Sequence, residues 1–109
     1  MKQYEIWWAS FPKPIGRRPV LLLSRTPAFL YLSKVLVAEV TTTIRNIPQE
    51  VRLGRTEGLR HPCVANFDNL HVVSKASLVE RVGRLEPRRV HEVKRAVGAV
   101  FGWPELLSA

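Results

Sequence analysis

Along most of the chain the apolar positions either alternate with polar ones or run together in strand-sized stretches; a helical spacing takes over only near the end. Tyr4 to Phe11 reads as a strand, with Ile6 and Trp8 on one side and Trp7 and Ala9 on the other. Pro12 and Pro14 stop it, and Lys13 to Arg18 forms a short basic loop. Pro19 holds Arg18 extended, because the ring clashes with a helical preceding residue. Val20 to Ser24 is a nearly unbroken apolar run, the pattern of a strand covered on both faces. Pro27 to Ser33 accommodates one or two helical turns. Lys34 to Thr43 is a long β-branched strand, Ile47 to Leu53 a shorter one, and Gly54 to Pro62 a polar loop. Cys63 to Val73 divides into two strand pieces around the turn-forming pair Asp68-Asn69. From Pro87, the residues Val90, Val93, Val97, Val100 and Phe101 recur three and four apart, one stripe of a helix that Gly102 ends. Arg88 and Glu92 are spaced to pair on it. Five or six short strands and one amphipathic helix predict a mainly β (α+β) fold, a small antiparallel β-barrel with a C-terminal helix, as a single domain over residues 1–109.

Composition narrows the function. Seventeen Lys and Arg against nine Asp and Glu leave a net charge of +8 on 109 residues. Twelve of those cations are arginines, whose planar forks grip phosphate oxygens in pairs, so an acidic partner such as a nucleic acid is expected. Arg88, Arg89 and Arg95 are assigned to the outer side of the last helix as ordinary surface charge. The longest apolar runs are far short of the ~20 residues of a membrane span. No secretory leader is read at the start, and the single Cys63 cannot close an internal disulfide, so a reducing cytoplasm is the expected location. His61, His71 and His91 lack metal-site spacing and no nucleotide-binding glycine loop occurs, so neither a metal nor another cofactor is expected.

Three stretches in order carry a resemblance: Tyr4-Glu5-Ile6-Trp7-Trp8, then Gly16-Arg17-Arg18-Pro19-Val20, then Val37-Ala38-Glu39-Val40-Thr41-Thr42-Thr43, with Asn66-Phe67-Asp68-Asn69-Leu70 further on. Together they resemble the MazF/PemK toxins of bacterial type II toxin–antitoxin systems. The resemblance implies an SH3-like barrel acting as a homodimer, and a metal-independent endoribonuclease that cuts single-stranded RNA at short motifs. It also implies an acidic antitoxin that masks the RNA groove. The family's catalytic arginine falls on Arg18 and its catalytic threonine on Thr41. Many members have glycine where this chain has Tyr4, at a turn.

The residues suit that chemistry. RNA brings its own nucleophile, the 2′-hydroxyl, and the enzyme must deprotonate it, neutralise charge on the phosphorane and protonate the departing 5′-oxygen. Arg18 is a permanent cation on a proline-restrained backbone, and Thr41 a hydroxyl at a strand end. Glu39 shares a strand face with Thr41, about 7 Å along. It is a candidate base, an anchor for Arg18, or a surface ion-pair partner; Asp68 is the second candidate base. Arg17 and Arg45 flank the two motif loops as phosphate contacts, with Thr42 and Asn66 completing the expected RNA-binding set. Trp7, Trp8 and Phe67 are candidates either for base stacking or for packing, and Cys63 for the core. Two other functions compete: a CcdB-like gyrase poison, and a non-catalytic nucleic-acid-binding barrel.

Overall fold

The computed structural model describes residues 1–108. Six strands form one antiparallel sheet: β1 (Glu5–Ser10), β2 (Arg17–Leu22), β3 (Lys34–Thr41), β4 (Glu50–Leu53), β5 (Cys63–Ser74) and β6 (Leu78–Arg84). Their spatial order is β4-β5-β3-β2-β1-β6. A short helix α1 (Ala28–Tyr31) follows β2, and α2 (Val90–Phe101) and α3 (Pro104–Leu107) end the described chain.

The strand residues serve two cores because successive side chains point to opposite sides. Ile6, Leu21, Ala38, Val40 and Val51 face one core, into which α2 inserts Val93 and Ala96. Ala9, Val20, Leu22, Val35 and Val37 face the other, covered by Phe29 of α1 and flanked by Trp7 and Phe11. This double covering is why the run from Val20 has no polar interruption.

The sheet coils into a half-barrel. Among the described residues no ladder joins the edge strands β4 and β6. The segment after β4, with a 3₁₀ turn at Arg55–Glu57, crosses between them instead. Its approach to β6 is so close that a Cβ on Gly83 would lie 2.0 Å from the Glu57 carbonyl oxygen. Only glycine fits there.

Several expectations change. β3 stops at Thr41, two residues early, because the chain bends at Thr42. β5 is one strand of 12 residues, not two pieces about a turn. Ala38 pairs with Leu70 but Glu39 with Asn66, so Phe67, Asp68 and Asn69 form a bulge that bends the strand. Phe67 points into the core at 1% exposure, which removes it as a base-stacking surface. β6 has no counterpart in the sequence reading; it is an edge strand whose Val79, Glu80 and Arg81 are all exposed, and bulges against β1 break its alternation.

The last helix begins as foreseen, through a 3₁₀ turn at Pro87–Arg89, and ends at Gly102 in the left-handed conformation. The Arg88–Glu92 pair does not form: Arg88 Nε donates to Glu86 instead, at 2.7 Å. Glu92 is taken by Arg89, which is not surface charge. Its side chain, 16% exposed, donates to Glu92 at 2.7 Å, to the nearly buried Glu57 at 3.1 Å and to the Arg52 carbonyl at 2.6 Å. Phe101 leaves the apolar stripe and stacks on Trp103 in solvent, 4.8 Å between ring centroids.

Candidate active-site cleft

The two residues expected to carry chemistry sit where β2 begins and β3 ends. Val20 opposes Glu39 in the β2–β3 ladder, so two steps outward along each strand bring Arg18 level with Thr41. Pro19 lies one residue beyond the last recorded β2–β3 pair, at the sheet's rim, where a missing N–H breaks no recorded β2–β3 pair. An open cleft of about 480 Å³ lies beside this rim. Arg18, Pro19, Thr41 and Thr42 line one side. Gly58, Leu59, Arg60 and His61, from the segment that crosses between the sheet edges, line the other, and Trp8, Val40, Cys63 and Val82 complete it.

Arg18 lines the cleft and its side chain is 44% exposed, with Nη1 3.8 Å from Glu39 Oε1. The Thr41 hydroxyl oxygen accepts a hydrogen bond from the Thr43 backbone N–H at 3.1 Å. That contact fixes the side chain and leaves the hydroxyl hydrogen free to donate. Thr42 is exposed at the same rim. Arg17 lies over the Trp8 ring, 5.4 Å from its centroid, and so adds a second cation beside the cleft.

The structure does not bring the whole predicted set together. Glu39 is outside the cleft lining, and both its oxygens have partners: Oε1 faces Arg18 and Oε2 meets His71 Nε2 at 3.0 Å. Arg45 lies outside the cleft in the loop after β3, where its backbone N–H donates to Glu50. Asn66 is 3% exposed beside the β5 bulge, its Oδ1 accepting from the Asp68 N–H at 2.9 Å; burial and this bond put it out of RNA's reach. Asp68 is exposed on that bulge and outside the cleft. Trp8 lines the cleft, while Trp7 packs at the opposite core, as alternation requires. Cys63 is a core residue, and burial, then the nearby Glu57 charge, push its thiol up to about 11, away from nucleophilic chemistry.

Sequence reasoning missed Arg60 and His61. They lie in a polar loop, and their position in the cleft follows from the fold of that loop against β6, which no local pattern announces. Among the described residues, no three His, Cys, Asp or Glu side chains gather as a metal site, and no helix is long and apolar enough to cross a membrane.

A half-barrel presenting an arginine and a threonine hydroxyl together at its rim matches a defined class of small toxin. The family model described as the PemK-like, MazF-like toxin of type II toxin–antitoxin systems matches residues 2–101. The probable endoribonuclease MazF5 of Mycobacterium tuberculosis is 40% identical over 94 residues, 85% of each chain. The probable endoribonuclease MazF2 of the same organism is 36% identical over 94% of this chain and 99% of its own. The solved structure of Mycobacterium tuberculosis toxin MazF-mt6 superposes with a TM-score of 0.84 at 31% identity, covering 90% of this chain and 96% of that one. A mycobacterial endoribonuclease solved with its cognate antitoxin shares the fold at a TM-score of 0.82 and 24% identity, covering 95% of this chain and 97% of its own. The chain belongs to the PemK/MazF toxin family.

Proposed function

We propose that this chain is the toxin of a type II pair, an endoribonuclease that cuts single-stranded RNA in the cleft between Arg18, Thr41 and the Arg60-His61 wall, and that an acidic antitoxin neutralises it. The observation that carries this reading is the placement of Arg18 and Thr41 on one side of one open cleft. The relatives named endoribonuclease support the reaction class, and the relative solved with its antitoxin supports the partner.

In this reading the RNA 2′-oxygen gives up its proton and bonds to the adjacent phosphorus, and the bond from phosphorus to the 5′-oxygen breaks. The departing 5′-oxygen takes up a proton, and the products are a 2′,3′-cyclic phosphate and a 5′-hydroxyl. Arg18 meets the negative charge that grows on the phosphorane oxygens. Thr41 donates its free hydroxyl hydrogen to the same group. Arg17, Thr42 and Arg60 hold neighbouring phosphates or riboses. Glu39, with both oxygens engaged, anchors Arg18 rather than acting as a base. His61 lines the same cleft and its ring nitrogens are the proton donor and acceptor nearest to hand on that wall. Homodimerisation belongs to the same reading, supported by the exposed apolar side chains of Leu30, Tyr31 and Val72.

The test is purified protein with end-labelled single-stranded RNA in EDTA. Cleavage to cyclic-phosphate and 5′-hydroxyl ends, slowed about 10²- to 10³-fold in a folded Arg18→Ala variant, is the expected result. Intact RNA overturns it: stalled gyrase would then favour the CcdB-like reading, and salt-sensitive binding without cutting a non-catalytic barrel.

A further inference from the structure

Four side chains from four neighbouring strand segments form a line behind the cleft. Phe11, just after β1, packs its ring against His71 of β5, with centroids 5.5 Å apart and planes tilted by 57°. His71 Nε2 meets Glu39 Oε2 of β3 at 3.0 Å, and Glu39 Oε1 stands 3.8 Å from Arg18 Nη1 of β2. We propose that His71 is a positioning residue: it acts through Glu39 to hold the Arg18 guanidinium at the angle the cleft requires. The inference rests on the reading of Arg18 as the cation of an RNA-cutting site.

The chemistry of the contacts is directional. A carboxylate oxygen only accepts, so the His71–Glu39 contact places the imidazole proton on Nε2. One Glu39 oxygen is thereby occupied, and the other is left facing Arg18. Without His71 the Arg18–Glu39 pair is a partly exposed ion pair at 3.8 Å, too long for a hydrogen bond. Such a pair restrains two flexible side chains poorly. With His71 the carboxylate rotamer is fixed from behind, and the imidazole is itself fixed by the Phe11 ring.

His71 sits directly opposite Val37 and two residues from Val73, both buried in the core that Phe11 flanks, while its own side chain is 37% exposed. What singles out the imidazole there is its contact with the Glu39 oxygen that does not face Arg18. That contact supplies orientation. A guanidinium stabilises a phosphorane only if it is aimed before the charge appears, and a misplacement of about 1 Å costs about 100-fold in rate.

The test compares steady-state cleavage by wild type, His71→Leu, His71→Gln, Glu39→Gln and the His71→Leu/Glu39→Gln double variant. His71→Leu is expected to lower kcat about tenfold or more with KM changed less than about twofold, because geometry and not binding is lost. His71→Gln, which keeps a donor toward Glu39, should recover most of that loss. The double variant should be no slower than Glu39→Gln, since both changes cut one chain of contacts. A wild-type kcat in His71→Leu, or losses that simply add, overturns the inference. Side-chain 15N spectra separate this from the function itself. Hindered rotation of the Arg18 guanidinium in wild type and free rotation in His71→Leu supports the positioning role even if no RNA is cut. Identical spectra overturn it, while uncut RNA with wild type overturns the endoribonuclease reading alone.

Discussion

At the residue scale the informative atom is the Thr41 hydroxyl hydrogen. The oxygen accepts from the Thr43 N–H, which restrains the side chain and leaves its one donor available to a phosphate oxygen. Thr41→Val keeps the shape and removes the donor; cleavage should fall about 100-fold in single-turnover assays while the thermal midpoint holds. Thr41→Ser should retain most of the activity. Equal losses in both variants would assign Thr41 to packing. Arg18 and Thr41 come from the family resemblance, whose motifs are local enough to be seen in sequence, an arginine before a proline and a run of threonines at a strand end; the fold adds that both line one cleft. Tyr4, read as the first residue of a strand, instead precedes β1 with a φ of 69° in the left-handed region, and its ring packs on the core. Phe67 takes the packing alternative, whereas Asn66 is buried beside the bulge and not presented to RNA, because the bulge changes which side chains face inward. A strand bulge is set by the partner strand, which the local sequence does not contain.

At the element scale the segment from Gly54 to His61 is both a seal and a wall. It bridges the open edges of the sheet and supplies half the cleft, and Arg89 of the turn before α2 clamps it through Glu57. Removing the guanidinium leaves the Glu57 carboxylate 4% exposed with its cation gone. Arg89→Met should therefore cost about 3–5 kcal/mol in urea unfolding. A loss under 1 kcal/mol, on that same scale, would show that the clamp is idle. The same clamp gives the protein an acid-labile element. The hydrogen bond from Arg89, stronger in effect than partial burial, holds the Glu92 carboxyl below its ordinary value. A lowered folded pKa stabilises the fold above the ordinary carboxylate range, and that contribution is lost as pH falls through the lowered value. Thermal midpoints should thus drop below about pH 4 in wild type and drop less steeply in Glu92→Gln. None of this clamp was visible in the helical spacing, which paired Arg88 with Glu92. A spacing of four makes a contact available, but Arg89 gains two further acceptors, one from β4 and one from the 3₁₀ turn after it. β6 was invisible for a related reason: an edge strand needs few buried side chains, so its pattern is weak.

At the scale of the whole molecule the question is whether the +8 charge acts as a diffuse field or through placed arginines. A diffuse field would attract RNA and an acidic antitoxin alike, and every surface arginine would count equally. The structure separates two kinds. Arg60 lines the cleft and Arg17 stacks beside it on Trp8, whereas Arg95 lies on α2 near Glu92 and Pro48. Each phosphate neutralised on single-stranded RNA adds about −0.7 to the slope of log K against log salt. With an uncleavable 2′-O-methyl oligonucleotide, Arg60→Ala should make that slope shallower by about 0.7, and Arg95→Ala should leave it unchanged. Both variants lose one unit of net charge, so net charge cancels from the comparison. Equal changes in the two slopes would mean that the cleft holds no phosphate at Arg60 and that the excess charge works only at a distance. A change confined to Arg60 would place the RNA backbone across the cleft, opposite the wall that carries Arg18 and Thr41.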